Sequence, residues 1–206
     1  GMCAEYRSSL PNSISFLPNL ELPNFEPNLD YFILDKKANL TDFISTGLIN
    51  ATGFIMNDKA KTIFEKFNLM PHKFFPARIL NKNKFVSNYY WLHLCLDYSN
   101  LIDYRKSQFI LKKMPPWNIP NWDYQIEPIK VDSKEGLTAI WKQNNSKQIY
   151  PVVLYLNDKF EKKLSLFAFK HFGDSVIISE YLKTALEENK VTGIEMLEVS
   201  YPVHFE

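Results

Sequence analysis

One pattern of apolar and polar positions occurs twice in this chain. Residues 54–77 (FIMNDKAKTIFEKFNLMPHKFFPA) and residues 176–199 (VIISEYLKTALEENKVTGIEMLEV) align without a gap at an offset of 122 positions. Ile55/Ile177, Lys61/Lys183, Thr62/Thr184 and Glu65/Glu187 are identical, and Phe64/Leu186, Phe74/Met196 and Phe75/Leu197 stay apolar. Each copy opens on a short apolar run suited to a strand. Asn57 or Ser179 follows, with a side chain able to accept from the free N–H groups of a helix start, and then Asp58 or Glu180, whose charge the helix dipole favours there. Ala60, Ile63, Phe64 and Phe67 fall at i, i+3, i+4 and i+7, and Leu182, Ala185 and Leu186 repeat the start of that stripe. The spacing predicts amphipathic helices over 58–67 and 180–189. A second apolar run closes each copy, so the pattern reads as a strand–helix–strand unit used twice.

Outside the repeat, period-two alternation is strongest over 89–96. Tyr90, Leu92, Leu94 and Leu96 take one face, and Trp91, His93 and Cys95 the other. Both faces are largely apolar, which predicts a central strand covered on both sides. Further strands are expected at 31–34, 126–131, 137–141, 149–156, 164–169 and, as an edge, 201–205, with a turn at 81–84. The loop 132–136, with Gly136 at its end, predicts a hairpin between 126–131 and 137–141, and the turn at 157–159 joins another strand pair. A short helix is expected over 40–44. The fold class that follows is α+β: mainly antiparallel sheet with two principal helices supplied by the duplicated unit.

Residues 10–29 break the pattern with four Pro-Asn pairs, Pro11-Asn12, Pro18-Asn19, Pro23-Asn24 and Pro27-Asn28. Pro fixes φ and Asn tolerates turns, so helix and central strand are both disfavoured. Yet Ile14, Phe16, Leu17, Leu20, Leu22, Phe25 and Leu29 are too apolar for a free linker. Residues 1–30 are therefore read as an extended arm packed on the body, and 31–206 as a single α+β domain carrying the repeat. A segment that docks onto a partner is the alternative, since polyproline-like segments are used that way.

Composition narrows the class. A chain of 206 residues with 46% hydrophobic and 15% aromatic content has the material for a full core. Its 24 basic and 23 acidic residues nearly cancel, and no Lys/Arg stripe of the kind that tracks phosphates is present, which argues against nucleic acid as a partner. No apolar run approaches the ~18 residues of a membrane span. The start, MCAEYRSSL, lacks the basic-then-apolar order of a signal peptide. Cys3 and Cys95 make neither a disulfide framework nor a ligand pair, so free thiols and a cytoplasmic location are expected.

Three constellations bear chemistry. His93, Cys95 and Asp97 alternate, so on a continued strand all three leave one face, neighbours ~7 Å apart. That set suits a Cys–His nucleophile of a hydrolase or three metal ligands. No other His or Cys falls at ligand spacing, and nothing adjoining Cys95 would activate a thiol, so core packing is the favoured reading and no metal site is assigned. Asp97, Asp103 and Ser107 form a polar cluster just beyond, able in principle to serve acid–base work, but such residues more often bond the backbone of turns. Trp117, Trp122, Tyr124 and Trp141 are the candidate partner-binding residues, because rigid aromatics bury large areas at small entropic cost. Trp117 and Trp122 sit in KMPPWNIPNWDY, a stretch stiffened by three prolines. A small-ligand or carbohydrate module built on that loop is a further alternative. No GxGxxG, Walker, HExxH, GxSxG or EF-hand pattern is present, and no cofactor is expected.

The order of these features carries a resemblance. FIMNDKAKTIFEKF is followed by KFFPARIL, then by YYWLHLCLDYSNLIDYRKSQF, and the chain closes on SVIISEYLKTALEENKVTGIEMLEV, a helix followed by Gly193 and an apolar run. Over roughly residues 50 to 200 this layout resembles immunity-protein family eleven of bacterial polymorphic toxin systems, a group formerly catalogued as a domain of unknown function. The resemblance implies a protein that neutralises a toxin by binding it rather than by catalysis, with the cognate toxin as partner. It brings no catalytic residues to transfer.

Overall fold

Three α-helices lie among the described residues: α1 (Asp58–Phe64), α2 (Lys134–Gln143) and α3 (Glu180–Glu188). The computed structural model describes the chain apart from residues 1, 4–9, 19–20, 31, 46–48, 50, 96, 114–124, 145–146, 171 and 173–175. The chain gathers into two compact units, one of Gly1–Leu96, Leu164–Leu166 and Ile178–Met196, the other of Asp97–Lys163, Phe167–Ile177 and Leu197–Glu206.

The first unit is built on β1 (Met2–Cys3), β2 (Phe32–Leu34), β3 (Phe43–Ile44), β4 (Gly53–Asn57), β5 (His72–Asn81) and β6 (Lys84–Leu94), in the order β1-β2-β5-β6-β4-β3. Pairing is antiparallel except between β2 and β5. The β5–β6 hairpin turns on Lys82 and Asn83, both at positive φ (47° and 67°), the twist a two-residue hairpin connection requires. β6 has the predicted two covered faces: Trp91, Leu92, His93 and Leu94 are all buried.

Different parts of the chain cover those faces. On one, Ile55, Phe75, Ala77, Tyr89 and Trp91 pack with Ile14, Leu17 and Leu29 from the Pro-Asn segment. On the other lies α1, packed against β4, β6 and α3. Each fully buried apolar side chain of this kind contributes about 1.5–3 kcal/mol of transfer free energy. Asn57 Oδ1 accepts from the Ala60 N–H at 3.1 Å, and Ser179 Oγ from the Leu182 N–H at 3.2 Å, so both predicted caps operate. Ala60, Ile63, Phe64, Leu182 and Leu186 form the buried stripes. α1 stops at Phe64, and its chain tightens into i→i+3 bonds through Phe67.

The second unit contains β7 (Gln108–Lys113), β8 (Ile126–Ile129) and β9 (Lys147–Leu156). β10 (Leu166–Ala168) and β11 (Val176–Ile178) pair as a two-stranded sheet, and β12 (Val203–Phe205) joins β9 in parallel, giving a four-stranded order β12-β9-β7-β8. Phe109, Phe160, Phe167, Phe169 and Phe172 are buried in this unit beside Leu111, Leu137, Ile149, Leu154 and Leu156. Phe160 meets Phe167 at 4.9 Å and Phe205 at 5.5 Å between ring centroids, and Phe109 stacks on Phe172 at 5.6 Å.

The α+β class stands, and several element expectations are corrected. The run 137–141 is not a strand paired with 126–131. It belongs to α2, which Ser133 caps by accepting from Gly136 N–H at 3.1 Å and which buries Leu137, while β8 pairs with β7. Residues 40–44 hold strand β3 rather than a helix, because Phe43 and Ile44 pair with Met56 and Ile55. β9 pairs with β7 and β12, not with β10 across the 157–159 turn. The second copy of the repeat keeps its strand and its capped helix, but 195–199 carries no strand, and β11 lies in the two-stranded sheet whereas β4 lies in the six-stranded one.

Candidate functional site

β6 ends at Leu94, so the alternation expected to align His93, Cys95 and Asp97 stops before Asp97. Each of the three has its own partners. His93 is completely buried, with Nε2 3.2 Å from the Glu21 carbonyl and its ring 6.4 Å from that of Trp91 and 6.3 Å from that of Phe75. Burial holds its imidazole below the ordinary value, against the pull of the Glu21 and Pro18 carbonyls. Cys95 is buried, and both its N–H and its thiol donate to the Pro71 carbonyl, at 3.0 and 2.8 Å. Burial pushes the thiol up, away from the thiolate a nucleophile needs.

Asp97 caps a short 3-10 turn, Tyr98–Leu101. Its Oδ1 accepts from Ser99 N–H (2.9 Å), Ser99 Oγ (2.5 Å) and Lys170 N–H (2.9 Å), and Lys134 Nζ stands 3.0 Å from Oδ2. Burial alone would raise this carboxyl; the bonds from Ser99, Lys170 and Lys134 outweigh it and hold the group below the ordinary carboxylate range. Asp103 serves a turn, accepting from the N–H groups of Arg105 and Lys106, and its carbonyl accepts from Ser107 N–H at 3.0 Å. Ser107 Oγ accepts from Tyr155 N–H at 2.9 Å, at the irregularity where β7 meets β9. Among the described residues, no hydrogen bond joins Asp97 to Asp103 or Ser107, and no group of three or more His, Cys, Asp or Glu has metal-site geometry.

Trp141 is on α2, 46% exposed. Trp117, Trp122 and Tyr124 lie outside the described residues.

The most connected polar centre is one that sequence reading did not single out. The Asp42 carboxylate accepts from Asn57 Nδ2 (2.8 Å), Thr192 N–H (2.8 Å), Thr192 Oγ1 (2.9 Å) and Lys59 Nζ (3.2 Å). Burial would raise its pKa, and these bonds, led by Asn57, hold it below the usual value instead. Nearby, Tyr89 donates to the Thr41 carbonyl at 2.6 Å; burial first, and the Asp42 charge second, push its hydroxyl to about 12. A lone Asp in an apolar context is no sequence signal, and its partners are 15 to 150 residues away. The Asp97 centre left more trace, since Asp-x-Ser is a turn-forming spacing.

The described polar groups thus tie loops and helix ends into the two units. The architecture is that of an α+β protein of mainly antiparallel sheets, with three helices among its described residues. Residues 20–200 match the Immunity protein family (Imm11), and the chain belongs to that family. No curated protein matches it. No helix among the described residues is long and apolar enough to cross a membrane.

Proposed function

We propose that this chain neutralises a bacterial toxin in the cytoplasm by binding it, without catalysis. The observation that carries the reading is membership of the immunity family over residues 20–200. The placement of the reactive side chains supports it: His93 and Cys95 are buried, and the carboxylate of Asp97 is engaged by Ser99, Lys134 and Lys170. None of these three is presented for attack on a substrate. The binding residues we assign are Trp117, Trp122, Tyr124 and Trp141, and the exposure of Trp141 supports its inclusion.

The test is co-expression with candidate toxin domains, starting with any encoded next to this gene. The expected result is that cells survive and that the two chains co-purify as a complex through gel filtration. Survival with no complex at micromolar concentrations, or a toxin left chemically altered after the chain is removed, would contradict the reading.

A further inference from the structure

We propose that residues 10–18 and 21–30 form a strap over one face of the six-stranded sheet, latched by His93, and that protonation of this imidazole releases the strap while the rest of the unit stays folded. The strap fills the place a helical layer would take on this face. Ile14, Leu17 and Leu29 are its buried apolar plugs, with Phe25 partly buried beside them. Its backbone ties among the described residues include Arg78 N–H to the Leu29 carbonyl at 3.1 Å and Asn28 N–H back to the Asn12 carbonyl at 2.8 Å. Its ion pairs, Lys73–Glu26 and Arg78–Asp30, are exposed, and such pairs contribute at most about 1 kcal/mol each.

His93 differs from these ion pairs because it is wholly enclosed. Nε2 donates to the Glu21 carbonyl; the Pro18 carbonyl also faces the ring, but Nδ1 is buried with no hydrogen-bond partner among the described residues. A neutral ring satisfies the Glu21 bond. A second proton would place a full charge beside Trp91 and Phe75 in the interior, and burial disfavours that. Other charged and titratable groups lie around this position. Lys73, the cross-strand neighbour on β5, has its ammonium 4.7 Å from the Phe75 ring centroid and paired with Glu26. Glu21 and Glu26 come from the strap, Cys95 follows on the same chain as a thiol shifted upward, and Gly53 on β4 brings no ionisable side chain. His72 sits beside Phe74 on the opposite face, bonded to the Met70 carbonyl.

Opening the strap brings water to the ring and lets it protonate at its free value of about 6.5. The closed strap therefore holds fully above that pH and loses ground below it, by up to about tenfold in the open-to-closed ratio per pH unit until the closed-state value is reached.

Amide hydrogen exchange on the full chain at pH 7.5 and 5.5, corrected for the intrinsic rates, tests this. Peptides covering 10–30 are expected to open about tenfold more at pH 5.5. β6 and α1 peptides are expected to hold, and His93→Gln, which keeps a donor for Glu21, to remove the pH response. Strap exchange indifferent to pH, an equal response in His93→Gln, or loss of protection throughout the unit overturns the proposal. Should the variant not fold, the wild-type ring decides by NMR: a His93 midpoint well below 6.5 that tracks strap exchange supports the latch, and one at or above it contradicts the latch.

Discussion

Asp42 holds Thr192 by two bonds at once, its Oδ2 accepting the backbone N–H at 2.8 Å and the hydroxyl at 2.9 Å across 150 residues of sequence. The same carboxylate reaches Asn57, the cap of α1, so the entrance to the first helix and the exit from the last are fixed to one side chain. Asp42→Ala strands four donors around a buried position and is expected to cost about 2–4 kcal/mol in urea unfolding. Thr192→Val, which removes the hydroxyl alone, is expected to cost about 1 kcal/mol.

Acid stability follows from the same geometry. Asp42 and Asp97 both sit below the ordinary carboxylate value in the folded protein, because bonds to the charged form outweigh burial. Their contribution is present in full above the unfolded value of about 3.8 and disappears as pH falls through the folded values below it. Unfolding midpoints measured from pH 6 to pH 2 are expected to drop most steeply under pH 4. Asp97→Asn is expected to be less stable than the wild type at pH 6 and to show a shallower acid slope.

Two glycines give opposite expectations. Gly193 has φ +84°, and a Cβ there would stand 2.2 Å from the Phe43 carbonyl oxygen. Gly193→Ala meets both an unfavourable backbone and a backbone clash, and is expected to lose about 2–4 kcal/mol. Gly136 is inside α2, where a Cβ finds only ordinary contact with Ser133 Oγ at 3.6 Å. Gly136→Ala is expected to gain about 0.5–1 kcal/mol through helix propensity. Thermal melts of the two variants check both signs.

Trp141 is exposed, so Trp141→Ala is expected to leave the melting temperature within a degree or two while weakening toxin binding. Ala variants of Trp117, Trp122 and Tyr124 are expected to behave alike, with at least one losing about 2 kcal/mol or more in calorimetric titration. Full affinity in all four would move the interface elsewhere.

Much of the fold was legible where one physical signal acted alone. The double apolar alternation of 89–96 announced a central strand, and Asn57 and Ser179 announced two helix starts. α2 was hidden because Gly136 and Thr138 weaken helix propensity, and Leu137, Ile140 and Trp141 are too few to separate a helical from a strand period. Its cap, Ser133, is a residue type that favours helix starts. Residues 40–44 misled because two strand residues take their conformation from β4 rather than from their own pattern. The polar centres were the least legible: Asp42 meets Thr192, and Asp97 meets Lys170, only after folding.

The central claim, inhibition by binding, is tested most directly by titrating the toxin's activity with this chain at concentrations far above the dissociation constant. The account predicts a linear fall to zero at a fixed molar ratio, with activity recovered when the complex is separated under denaturing conditions and the toxin refolded. Complete inactivation by a small fraction of an equivalent, progressing with time, would show turnover and contradict it.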